Sequence, residues 1–144
     1  MDEKYKNILV AVDGSEASEH ALNKAIKISL RNDASLIIAH IIDSRTYATA
    51  EVYDRSLSER IENHSEELLS TYVEKAKEAG VEKVESIIEY GSPKVIIAKE
   101  IAPKNECDLI IVGATGLNAV ERFLIGSVSE SIVRYATIDV LIVR

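Results

Sequence analysis

Five short apolar runs punctuate the chain: Ile8 to Val12, Leu36 to Ile42, Val84 to Tyr90, Leu109 to Val112 and Val140 to Val143. A continuous β-rich run such as Ile8 to Val12, without apolar–polar alternation, marks a strand buried on both faces, whereas Glu85 and Glu89 interrupt the apolar pattern of Val84 to Tyr90. Between them the apolar spacing changes to that of helices. Ala21, Leu22, Ala25, Ile28 and Ser29 share one helical face; Ile61, Leu68, Leu69, Tyr72, Val73 and Ala76 share another. Val95, Ile96, Ala98 and Ile101 mark a third helix, and Ile132, Val133 and Ala136 a fourth.

End signals agree with these spacings. Ser15 suits an N-cap, with Glu16 and Glu19 in the first turn, and Asn32-Asp33 closes that helix. Ser56 with Glu59 reads as a capping box, and Gly80 as the C-cap of the long helix that follows. Ser92-Pro93 opens the third helix with proline at its first position, and Pro103 is expected to stop it. Asp43 to Arg55 has no periodicity, so it is expected to be a polar loop, with Tyr47 and Tyr53 as its aromatic content. Long unstructured connections are usually lids or binding loops.

The order β-α-β-α-β-α-β-α-β with apolar strands predicts an α/β fold. It is a doubly wound parallel sheet with helices on both faces, a single domain over residues 1–144. In such sheets ligands sit beyond the C-terminal strand ends where the strand order reverses. If the first and fourth strands are neighbours, Asp13 and Gly113 flank that crevice. Glu85 and Glu89 suit the Val84 strand to a solvated edge. The Val140–Val143 strand has no charge between Asp139 and Arg144, and an apolar edge pairs with something. A symmetric homodimer through that strand is the simple outcome.

Composition narrows the partners. The net charge of -7 argues against nucleic acid and anionic membranes, which reward basic patches. A bound polyphosphate would then need local help from helix ends or a metal ion. Cys107 stands alone, so no intrachain disulfide or thiolate metal site is available. No apolar run is long enough to span a bilayer, and the N-terminus runs into a strand without a signal-peptide core. The expectation is a cytoplasmic protein.

The candidate chemistry lies between Leu109 and Glu130. The fourth strand ends on Gly113, Gly116 follows, and nine residues later Gly126-Ser127 precedes a helical pattern. Strand, glycine loop and helix start make a phosphate cradle: glycines admit close approach, and the helix offers unpaired N–H groups and a partial positive charge. Ser127 to Glu130 also reads as a capping box, and the two roles overlap because the same N–H groups serve a side chain or a ligand. Thr115 and Ser129 could add hydroxyls. Asp13 could accept from a ribose hydroxyl or a base amine, or bond its own turn. Arg122 could reach a phosphate or stay solvated. There is no Walker lysine and no Gly-x-Ser-x-Gly elbow. His20, His40 and His64 show no metal spacing. A triad of Asp13, His40 and Ser127 is far weaker than a rim or buried role for His40.

Over essentially its whole length the chain resembles the universal stress protein family. The resemblance rests on Ile8-Leu9-Val10-Ala11-Val12-Asp13-Gly14-Ser15, His40-Ile41-Ile42-Asp43, Gly91-Ser92-Pro93 and the complete Gly113/Gly116/Gly126-Ser127 spacing. That last spacing marks the nucleotide-binding branch. The resemblance implies a Rossmann-like, adenine nucleotide alpha hydrolase-like sheet of order 3-2-1-4-5 and a homodimer through the fifth strand. It implies ATP, or ADP or AMP, with Mg or Mn held by phosphate oxygens and water. By motif position, Asp13 and the Ile41 backbone would hold the adenosine end, with Ala11 beneath. Gly113, Ala114, Thr115 and Gly116 would wrap ribose and phosphates, and Gly126, Ser127, Val128 and Ser129 would bind the phosphates. Some relatives have proline where Ala11 stands. No general base or attacking group stands near the phosphates in the sequence, which favours a stress or signalling module that holds nucleotide. A slow ATPase or nucleotidyl transferase, and a nucleotide-free dimeric scaffold, are the rival readings. The protein that reads the nucleotide state is unknown.

Overall fold

The computed structural model describes residues 4–53, 55–115 and 125–144. One five-stranded sheet runs through them in the order β3-β2-β1-β4-β5, every neighbouring pair parallel. The strands are β1 (Asn7–Ala11), β2 (Ser35–Asp43), β3 (Val84–Gly91), β4 (Leu109–Gly113) and β5 (Asp139–Val143). Each apolar run read from the sequence is therefore a strand, and the strand order is the one the resemblance implies.

Both faces of the sheet are covered, which is why the central strands β1 and β4 are apolar almost throughout rather than alternating, while the outer strand β3 keeps Glu85, Ser86 and Glu89 and is largely open to solvent. Helices α1 (Glu16–Asn32) and α3 (Arg55–Ala79) lie on one face, where Ile8, Val10, Leu36, Ile38 and Ile111 meet Ala21, Leu22, Leu69 and Tyr72. On the other face Leu9, Ala11, Ala39, Ile41 and Val112 pack with Ile97, Ile101 and Ile132. These belong to the segment Pro93–Lys104 and to α6 (Ser127–Tyr135). The Asp108 carboxylate fastens the base of β1 beside β4, accepting from the Lys6 and Asn7 N–H groups at 2.9 and 3.0 Å. Among the described residues no helix is long and apolar enough to cross a membrane.

Three local expectations change. Asp43 to Arg55 is not a loop: α2 (Ser44–Tyr53) occupies it. Of the α2 side chains described, only Ala50 is buried, so no apolar stripe advertised a helix. Its start is supported by Asp43, whose Oδ1 accepts from Arg45 N–H at 2.9 Å. Ser56 does not precede its helix as read, because α3 already includes Arg55, and Glu59 faces Arg55 at 3.8 Å. Pro103 does not stop its helix. After α4 (Pro93–Ile96) comes a π turn (Ile97–Ile101), and α5 (Ala102–Lys104) carries the proline. The Ala102 N–H reaches back to Ile97 O, and this wider turn accommodates a residue with no N–H to give.

Candidate functional site

The strand order reverses at β1, which has β2 on one side and β4 on the other. Val10 pairs with Ile111, so the same register sets Val12 level with Gly113. Asp13 and Gly113 therefore flank the crevice as the sequence predicts. Val12 N–H donates to Ala39 O at 2.9 Å. Backbone groups alternate sides along a strand, so Ile41 N–H and C=O point the same way as those of Ala39. They do so at a level where β1 has already turned away. Ala11, Ile41 and Val128 share one packed layer, which sets the start of α6 over the same crevice.

The turn after β1 is built by its own side chains. Asp13 Oδ1 accepts from Ser15 N–H at 2.9 Å, an Asx turn, and Asp13 N–H donates to Ser18 Oγ at 3.2 Å. Gly14 sits at φ +83°, where a side chain would be strained. Ser15 caps α1, its Oγ accepting from Ser18 N–H at 3.1 Å. Asp13 Oδ2 takes no part in this turn. His40 Nδ1 lies 2.8 Å from Val12 O, and a carbonyl partner makes that nitrogen the protonated one. Asp13 and His40 each bond the backbone of this rim, which is not triad geometry.

The start of α6 differs from that of α1 in the two respects that matter to an anion. Its N-cap is Gly126, with no side-chain cap, so the Ser127–Glu130 capping box does not form: Ser127 is already the first helical residue. The α1 end is closed by Ser15 and carries Glu16 and Glu19 in its first turn. The single first-turn acid of α6, Glu130, is paired with Arg134 at 2.9 Å. The first-turn N–H groups of α6 have no intrahelical partner, and the helix dipole adds positive potential there. Gly126 itself has φ −64° and ψ 157°, values open to any residue, so backbone strain does not explain its glycine.

The remaining predicted residues divide by what their atoms already do. Ala114 is 4% exposed, its N–H donating to Val143 O at 2.8 Å and its carbonyl accepting from Gly126 N–H at 2.6 Å. It shapes the crevice rather than offering donors to it. Gly113 is glycine for packing: a Cβ there would stand 2.8 Å from the Ala17 carbonyl oxygen on α1. Ser129 is buried, its Oγ donating to Gly113 O at 2.5 Å. Ser127 is exposed and Thr115 half-buried. Gly116 and Arg122 lie outside the described residues.

Sequence reading missed a second polar cluster at the C-terminal end of β3. Tyr47 and Tyr90 both donate to Glu62 Oε1, at 2.6 and 2.8 Å, with their rings edge to face at 5.0 Å. This joins α2, α3 and β3. The Tyr47 and Tyr90 hydroxyls hold the Glu62 carboxyl below its usual range. Burial, then the bond to Glu62, pushes Tyr90 up to about 12. The signs differ. The Glu62 contribution is present above the ordinary carboxylate pKa and is lost as pH falls through the lowered one. The Tyr90 contribution is complete below about pH 10 and fades as pH rises toward about 12. Phenolate absorbance should show Tyr90 ionising well after an ordinary tyrosine, with Tyr72 also raised, by burial and then by Glu19 and Asp13, and Glu62→Gln should bring Tyr90 part of the way down. A single tyrosine transition near the ordinary value would refute the cluster.

A model described as the universal stress protein family matches residues 4–144. The chain belongs to the universal stress protein family. A relative in Staphylococcus haemolyticus, named as a universal stress protein, is 58% identical over 140 residues, spanning 97% of this chain and 85% of that one. Among solved structures, the universal stress protein UspA from Lactobacillus plantarum superposes with a TM-score of 0.89 at 28% identity, over 99% of this chain and 100% of that one. A universal stress protein in complex with cAMP gives a TM-score of 0.71 at 30% identity, over 99% and 98%.

Proposed function

We propose that this universal stress protein holds an adenine nucleotide, ATP with Mg or Mn, at the C-terminal ends of β1 and β4. The observation that carries the reading is the glycine-capped start of α6, left without a side-chain cap beside the strand-order reversal. The phosphates lie on the N–H groups of Ser127, Val128 and Ser129, with the Ser127 hydroxyl beside them. Adenosine lies toward Asp13 and the Ile41 backbone, with Ala11 beneath. Gly113 and Ala114 form the wall, and Thr115 and Gly116 belong to the site through the family resemblance. The cation is carried by phosphate oxygens and water, with no protein ligand assigned. That a relative of similar fold is solved with cAMP supports a nucleotide in this crevice; ADP and AMP fit the same donors.

The protein acts in the cytoplasm as a single-domain stress or signalling module that retains its nucleotide, hydrolysis being slow if present. Two copies pair through β5, an outermost strand whose Val140, Leu141, Ile142 and Val143 are only half-buried. Native mass spectrometry of the purified protein tests both parts together. The expected species is twice the 15.9 kDa chain with adenine nucleotide bound, released on denaturation. A bare species that takes up no ATP with Mg removes the nucleotide reading, and a single-chain mass removes the dimer.

A further inference from the structure

A serine hydroxyl has one hydrogen to donate, and an ionised phosphate oxygen only accepts. Ser129 is 3% exposed and its hydrogen is committed to Gly113 O at 2.5 Å. Its side chain is therefore not a phosphate donor. The bond spans 16 residues and crosses between layers, from α6 to the end of β4. Its acceptor is held from the far side, because Gly113 packs against the Ala17 backbone of α1. The next carbonyl, Ala114 O, takes Gly126 N–H at 2.6 Å. Two consecutive carbonyls at the end of β4 thus grip both ends of the first turn of α6.

We propose that Ser129 is a positioning residue: its hydroxyl, bonded to Gly113 O, aims the first-turn N–H groups of α6 at the phosphates. This rests on the nucleotide reading above. The adenosine end is assigned to Asp13, Ile41 and Ala11, and the Ser129 hydroxyl bonds Gly113 O rather than any of these. Losing the clamp should therefore weaken ligands in proportion to their dependence on phosphate.

The test compares ATP with Mg against adenosine, by calorimetry, in Ser129→Ala, Ser129→Cys and Ser129→Thr. Cysteine keeps the bulk but is a weak donor; threonine keeps the hydroxyl. Ala and Cys should each lower ATP affinity about tenfold, the order expected for one buried hydrogen bond that fixes donor geometry. Both should leave adenosine affinity unchanged, and Thr should restore ATP. In ligand-free protein the Glu130 amide, bonded to Gly126 O at 2.9 Å, should exchange faster in Ala and Cys than in wild type. If Thr proves too bulky to fold, the Ala and Cys variants decide alone. Unchanged ATP affinity in both, or equal losses for ATP and adenosine, overturns the positioning role. Wild-type protein that binds no ATP instead overturns the nucleotide reading, and the positioning role with it.

Discussion

Gly126→Asp should abolish ATP binding while leaving the fold as stable as before, or slightly more so. Gly126 is the N-cap of α6 at φ −64° and ψ 157°, which aspartate adopts without strain. Aspartate is a better N-cap than glycine by a few tenths of a kcal/mol, and a negative charge at a helix start adds about 0.3–1 kcal/mol. The same carboxylate would accept from the Val128 or Ser129 N–H and occupy the place assigned to phosphate. Stability and binding are thus driven in opposite directions by one substitution. A loss of at least about 100-fold, roughly 2.7 kcal/mol, is expected for ATP, with an unchanged or raised Tm. Retained affinity with normal stability would remove the α6 start from the site. A collapse of stability would show that Gly126 is glycine for packing.

Gly113→Ala should carry a large stability effect. The added Cβ would lie 2.8 Å from Ala17 O, 2.9 Å from Ala17 C and 3.1 Å from Ala17 Cβ. Two of those atoms are helix backbone and cannot swing aside. Either α1 moves off the sheet or β4 does. Overpacking of this kind costs about 1–3 kcal/mol, or a Tm lower by about 3–10 °C in a domain of this size. Chemical denaturation reads it directly. The α1 displacement also moves the Asp13 turn, so weaker nucleotide binding in this variant would follow from the altered wall and say little about direct contact. A Gly113→Ala protein as stable as wild type would show that the α1–β4 contact is looser than the structure describes.

These two glycines show where sequence stops being enough. The runs at Ile8 and Leu109 were legible as strands because a sheet covered on both faces leaves almost no polar position within its central strands, and the Val84 run was legible as an outer strand because Glu85 and Glu89 interrupt it. The order of the strands was not in any single run; it entered through the family resemblance. Helix α2 was invisible because, of its described side chains, only Ala50 is buried, and a helix held by Tyr47 and Ala50 leaves no stripe. The Ser127–Glu130 box matched a local rule, but the chain places Gly126 at the cap, one residue earlier. Ser129 was legible only as a hydroxyl that could add to the phosphate site, because the partner that occupies it is 16 residues away. Gly113 and Gly126 were read alike as phosphate glycines, yet Gly113 is required by a helix on the protein side. Gly126, at φ −64° and ψ 157°, has no dihedral reason to be glycine.

The most direct measurement is a calorimetric titration of ATP with Mg into wild-type protein stripped of small molecules, beside the same titration of Gly126→Asp. Saturable binding, one nucleotide per chain in wild type and none in the folded variant, is the predicted result. No saturable heat in wild type, or equal binding by the two proteins, would contradict a nucleotide held at the start of α6.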